Sequence, residues 1–390
     1  MNRFETLRIG GFKRLRDISV KMPALTVLIG ANGAGKTSFL EVWSLLASAC
    51  RGQLASKLSE LGGIGEILTR DRADHLFLQL EMSVPDHAPL QYGLVVAPQG
   101  AAYQIKLEFL KQQDDPKRPA FKHIESAGPD IRYFDVDQRR LAKIDARAKV
   151  VRPNWEHNPL ETSLSQVPKM FQQPENFRKR LASSTFYGAL QVGPGAPIRM
   201  PQPLKPAALP GANGEDLVSC LYSLRESDRD RFSVLEHTLS AAFPDFERLE
   251  FPPAAAGVLA ATWKDRNFSR PLYLHQLSEG TLRFLWLATL LQSRDLTAVT
   301  MIDEPEVSMH PELVRLLVEL MREASQRTQL IIATHSDRLV RFLSPEEVLV
   351  ADLHEGAASL TWASEMDIEH WLAEYSLDQL WAMGNLGGRA

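Results

Sequence analysis

The chain has 390 residues, 44% hydrophobic and 24% charged, enough for one large domain or two modest ones with full cores. Its net charge of −4 gives no overall attraction for nucleic acid or an anionic membrane surface. The two cysteines, Cys50 and Cys220, support neither a disulfide framework nor a cysteine-based zinc site, and no apolar run reaches the ~20 residues that span a bilayer. With a charged N-terminus lacking a signal-peptide core, the expectation is a cytoplasmic protein without a membrane partner.

In chain order, "FETLRI" and "DISVKM" predict strands, followed by the short apolar strand "ALTVLIG". A helix follows "ANGAGKT", with Phe39, Leu40, Trp43 and Leu46 on one face. "HLFLQLEMSV", "QYGLVVA" and "YQIKLEFL" predict an antiparallel meander. From about 111 to 250 the chain is rich in loops, with short helical patterns at "EDLVSCLYSL" and "RFSVLEHTLSAAF". Residues 104–152 hold 12 Lys/Arg against 8 Asp/Glu, a surplus that suits either a solvated face or nucleic-acid contact. Beyond 250 come the strand "GVLAATW", the stretch "HQLSEGTLRF" opening an apolar helix, the strand "TAVTMIDEP", the helix "PELVRLLVELMREAS" and the strand "TQLIIATHS". Strands alternating with helices predict an α/β fold whose mixed or parallel sheet is covered on both sides.

"GANGAGKT" fits G-x-x-x-x-G-K-[ST] at Gly30, Ala31, Asn32, Gly33, Ala34, Gly35, Lys36 and Thr37, with Ser38 next. It lies between an apolar strand and a helix, the context in which backbone N–H groups curl around phosphate and the helix N-terminus adds positive potential. Lys36 would reach the β- and γ-phosphates of ATP, and the Thr37 hydroxyl would ligate Mg2+. Adjacent acids at the end of a buried strand are costly unless a cation sits there. Asp303 would therefore hold Mg2+ from its outer coordination shell, and Glu304 would orient and deprotonate the attacking water. Glu306 needs no function as a turn acid. His335, just past another buried strand, suits a hydrogen-bonded structural residue or a sensor of the γ-phosphate. Ser278 and Gly280 open an apolar helix, which makes either an ordinary helix cap or a second anion site.

The ordered set "GANGAGKT", "LSEGT", "VTMIDEPEVSMHP" and "ATHS" resembles the ABC-type ATPase head of the RecF/SMC/OLD class, and most of all its standalone AAA-type ATP-binding members. The opening "LRIGGFKRLRDISVKMPALTVLIGANGAGKT" and the closing "EYSLDQLWAMGNLGG" are similar to the same class. The resemblance implies a mixed sheet with a phosphate-loop core, an antiparallel lobe and a mainly helical, loop-rich insertion. The head would occupy residues 1–110 and 251–350, the insertion 111–250 and a C-terminal tail 351–390. Gly30 to Thr37 would be the Walker A motif, Asp303 and Glu304 the Walker B pair, and His335 the switch histidine. Ser278, Glu279 and Gly280 would form the signature, and Ser308 to Pro311 the D-loop. Gln166 is the candidate Q-loop glutamine and metal contact. Phe12, Lys13 and Arg14 occupy the region that borders the nucleotide in relatives, or else form a surface loop.

In such families two heads sandwich ATP, and the signature serine of one serves the γ-phosphate held by the other. The resemblance thus implies an ATP hydrolase with ATP and Mg2+, working as a homodimeric switch on DNA or on a nuclease or toxin effector, in DNA repair or anti-phage defence. The alternative is the ATPase subunit of a membrane transporter. The 242 positions between Lys36 and Ser278, with their irregular Pro-rich filling, argue against it.

Overall fold

The computed structural model describes residues 2–113, 115, 117, 119–134, 150–168 and 172–387. Part of the basic stretch, residues 135–149, lies outside the described residues. The chain opens with strands β1 (Phe4–Phe12) and β2 (Leu15–Lys21) and crosses into β3 (Leu25–Ile29), which is buried throughout, as a strand covered on both faces must be. Helix α1 (Lys36–Cys50) follows the phosphate loop directly.

The expected meander is present as β4 (Leu76–Val84), β5 (His87–Gln99) and β6 (Ala102–Gln112). Leu76, Leu78, Leu80 and Met82 are fully buried on one face of β4 while the residues between them are partly exposed, the two-residue period of a half-covered strand. Strand β7 (Phe121–Ala127) continues this sheet into the stretch expected to be irregular, giving the order β2-β1-β4-β5-β6-β7. Helix α2 (Gln172–Ala182) locks onto the lobe through Phe177, whose ring meets those of Phe4 and Tyr92 at 5.7 and 5.4 Å.

Strand β8 (Thr185–Tyr187) and helices α3 (Leu217–Ser227) and α4 (Arg229–Ala242) follow. The closing half adds α5 (Glu279–Gln292), β9 (Val299–Asp303), α6 (Pro311–Ser325), β10 (Gln329–Ala333), β11 (Val348–His354) and β12 (Ala357–Trp362). The second sheet has the order β12-β11-β3-β10-β9-β8, parallel except for the edge strand β12. Alternate residues of β3 feed its two faces. Leu25, Val27 and Ile29 join α3–α6 in one core, while Leu28 joins α1 and the antiparallel sheet in the other. The architecture is therefore the expected α/β head with an antiparallel lobe.

β11 and β12 are additions to the expected elements. They carry the central sheet through residues 348–362, most of which had been expected to form a tail. Their hairpin turns at Glu355-Gly356, both at positive φ (51° and 79°). β11 also fixes the phosphate loop. At Gly30 φ is 146°, and an added Cβ would stand 2.2 Å from the Ala351 carbonyl oxygen. Gly30→Ala should therefore destabilise the fold by about 2–3 kcal/mol, seen as a lower urea midpoint. An unchanged midpoint would show that the loop can move off β11.

Candidate nucleotide site

The loop between β3 and α1 leaves Asn32, Gly33 and Thr37 exposed, with Ala31, Lys36 and Ser38 partly exposed, while Gly30, Ala34 and Gly35 are buried in its support. No side chain caps the N-terminus of α1 and no acid stands in its first turn. The first-turn N–H groups of a helix lack intrahelical partners, so this end attracts anions. Lys36 folds over the loop and donates to the carbonyl oxygens of Gly30 (2.6 Å) and Ala31 (3.0 Å). Burial holds the Lys36 pKa below its ordinary value, while Asp303 and Glu304 oppose that shift. A poorly solvated ammonium at the mouth of an uncapped helix suits phosphate.

Arg14 is the member of the Phe12–Arg14 trio that reaches the loop. Its Nη1 is 3.7 Å from where a Cβ on Gly33 would stand, and its carbonyl accepts from the Ala358 N–H at 2.8 Å. Phe12 is fully buried, and Lys13 pairs with Glu41 on α1 at 2.5 Å.

Parallel pairing brings the acids and the histidine to the same place. Asp303 lies opposite Ala333, which lies opposite Leu28, so the chain leaves β3, β9 and β10 at one sheet edge. That edge is where open α/β sheets bind ligands. Burial, followed by the neighbouring Glu304, raises the Asp303 pKa above the ordinary carboxylate range. The Glu304 N–H donates to the Ala333 carbonyl at 2.8 Å, and its Oε1 lies 2.7 Å from His335 Nδ1. Glu304 has φ 51°, a left-handed conformation that costs a non-glycine residue energy and marks functional turns. Glu306 points inward instead. It is buried, and its Oε1 accepts from the Thr334 hydroxyl at 2.5 Å.

Ser278 is the N-cap of α5, its Oγ accepting from the Thr281 N–H at 3.2 Å and lying 2.7 Å from Thr281 Oγ1. Among the described residues, no hydrogen bond joins it to the phosphate loop of its own chain. Gly280 abuts the turn after β9, where a Cβ would come within 2.4 Å of the Ser308 carbonyl oxygen. Ser308 itself has φ 64°.

Gln166 corrects the sequence expectation. Its neighbour Thr162 donates to the Ala49 carbonyl, at the C-terminal end of α1. A helix of this length puts that end about 20 Å from the phosphate loop. The Gln166 amide is also spent locally, accepting from Asn158 N and donating to the Asn158, Glu161 and Thr162 carbonyls. It is thus not placed to touch a metal at Thr37. A different glutamine, Gln191, lies four residues past the end of β8, the parallel neighbour of β9. The signal lay in the short strand "TFY", too brief to identify by periodicity. Among the described residues, no group of three or more His, Cys, Asp or Glu side chains could hold a metal. Mg2+ at this edge would rest on the Thr37 hydroxyl and phosphate oxygens, a donor set that suits a hard cation, with Asp303 holding it from the outer coordination shell.

Residues 25–341 match the family model described as "AAA domain, putative AbiEii toxin, Type IV TA system". No curated protein matches the chain. Among solved structures, the chain is similar to the SMC head bound to the C-winged helix domain of ScpA, with 13% identity, TM-score 0.56 and coverage of 97% of this chain and 99% of that one. It is also similar to the SMC head with an extended coiled coil bound to the C-terminal domain of ScpA, derived from Pyrococcus furiosus. There the identity is 11%, the TM-score 0.52 and the coverage 99% of both chains. At such identities the likeness concerns the fold. Among the described residues, no helix is long and apolar enough to cross a membrane.

Proposed function

Because the chain belongs to this AAA-domain family, we propose that it is a Mg2+-dependent ATP hydrolase, and that two copies close around ATP as a switch acting on a partner protein. The carrying observation is the convergence on one sheet edge of a half-buried Lys36, the paired acids Asp303 and Glu304, and a histidine hydrogen-bonded to the second acid. Lys36 would exchange its two loop carbonyls for the β- and γ-phosphate oxygens, assisted by the N–H groups of α1. Thr37 and Asp303 would hold Mg2+, which when bound neutralises charge on the phosphates. Glu304 takes a proton from water as the water oxygen bonds to the γ-phosphorus. The bond from that phosphorus to the β–γ bridging oxygen breaks, and ADP leaves with its electron pair. His335 keeps the Glu304 carboxylate aimed and senses the γ-phosphate.

Ser278 would serve ATP held on a second copy, a role supported by its exposed position at a helix start. Gln191 replaces Gln166 as the candidate glutamine near the metal, on topology alone. The family description names a toxin and a type IV TA system, which supports a toxin as partner; a nuclease effector in anti-phage defence and DNA are the other candidate targets. The first test is phosphate release by the whole chain. Release should require Mg2+, stop on chelation with EDTA and resume when Mg2+ is restored. No release from ATP with Mg2+ present would overturn the proposal.

A further inference from the structure

Glu306 and Thr334 meet beneath the Glu304–His335 pair and have no part in the scheme above. They are 7% and 0% exposed. The Thr334 hydroxyl donates to Glu306 Oε1 at 2.5 Å and accepts from the Ser336 N–H at 2.9 Å. The Thr334 N–H donates to the Leu28 carbonyl at 3.0 Å, which ties the same residue to β3. His335 is thus flanked by two residues held through one hydroxyl. On the other side, the Glu306 carbonyl accepts from the Met309 N–H at 3.1 Å and belongs to the turn carrying Ser308, whose carbonyl abuts Gly280.

Among the described residues, the other carboxylate oxygen, Glu306 Oε2, is buried without a hydrogen-bond partner. A carboxyl group buried with an idle oxygen is unfavourable, and two apolar side chains would fill the same space without that cost. The group is accounted for by the bond it makes. That bond joins the turn after β9 to the loop after β10, the two segments that the Glu304–His335 pair also bridges on the exposed side.

We propose that Glu306 is a positioning residue. It anchors the Thr334 hydroxyl, and through it the backbone on both sides of His335, so that the imidazole stays against Glu304. The effect on hydrolysis rests on the proposed ATPase reaction; the effect on His335 does not need nucleotide.

Two readouts on the full chain test this. One is the His335 ring resonance in nucleotide-free, histidine-labelled protein, assigned by its loss in His335→Gln. The other is steady-state hydrolysis of ATP. Glu306→Met and Thr334→Val should each displace the resonance and lower kcat about tenfold or more, with KM changed by less than about twofold. Glu306→Gln keeps an acceptor and Thr334→Ser keeps the hydroxyl, so both should stay close to wild type on both readouts. If Glu306→Met does not fold, Thr334→Val against Thr334→Ser decides. The proposal is overturned if folded Glu306→Met and Thr334→Val leave the resonance unmoved. It is equally overturned if Glu306→Gln is as damaging as Glu306→Met, because charge rather than an acceptor would then be required. Should the wild type release no phosphate from ATP, the proposed reaction fails, while the resonance still judges the latch.

Discussion

Glu304→Gln should lower ATP turnover by about 10²–10⁴-fold while ATP remains bound. The amide preserves the length and shape of the side chain and leaves an oxygen that can accept from His335 Nδ1, now 2.7 Å from the carboxylate. What it removes is the ability to take a proton from water. It also removes a negative charge beside Lys36 and Asp303, both of which respond to Glu304 electrostatically. An anionic nucleotide should therefore bind at least as well as in wild type. Single-turnover phosphate release measures the first effect, and titration with a fluorescent ATP analogue the second. The trapped protein should elute as a dimer with ATP and Mg2+. Wild-type turnover would show that Glu304 is not the base. Glu306 would be a poor replacement, because its carboxyl is buried and engaged with Thr334.

Local motifs were the most legible part of the site. The phosphate loop needs only consecutive residues, so "GANGAGKT" announces both its conformation and the helix after it. Asp303, Glu304 and His335 were readable because each lies at or just past the end of a buried apolar strand; their meeting required parallel pairing, which no spacing reveals. Gln166 failed for the same reason. A glutamine after "ETSLS" looks like any other until the chain places it at the far end of α1. The hairpin of β11 and β12 was legible in principle, since "HEGA" lies between two apolar runs and supplies a glycine suited to positive φ. Most of it was lost within an expected tail, and the contact of Ala351 with Gly30 was lost with it. The Glu306–Thr334 bond spans 28 positions and joins two loops that each look complete alone.

Lys36→Ala should reduce ATP affinity by about 10²-fold or more and abolish hydrolysis, with the fold intact. Among the described residues, the ammonium bonds only to carbonyls of its own loop, so its loss removes no core packing. Ser278→Arg should leave binding at Lys36 near normal. If Ser278 merely caps α5, the variant loses on the order of 1 kcal/mol of stability and remains active. If it serves ATP on a second copy, the bulky cation blocks closure and hydrolysis.

The proposal that one hydrolytic site is built from two chains is tested most directly by mixing these two inactive proteins. A heterodimer holds one complete site, with the phosphate loop from the Ser278→Arg chain and the signature from the Lys36→Ala chain. Pair formation is first established by co-purification through a tag on one partner, and phosphate release is then measured. The account predicts partial recovery of hydrolysis in the mixture and none in either protein alone. Full activity of Ser278→Arg by itself, or no recovery in a mixture where heterodimers have formed, would contradict it.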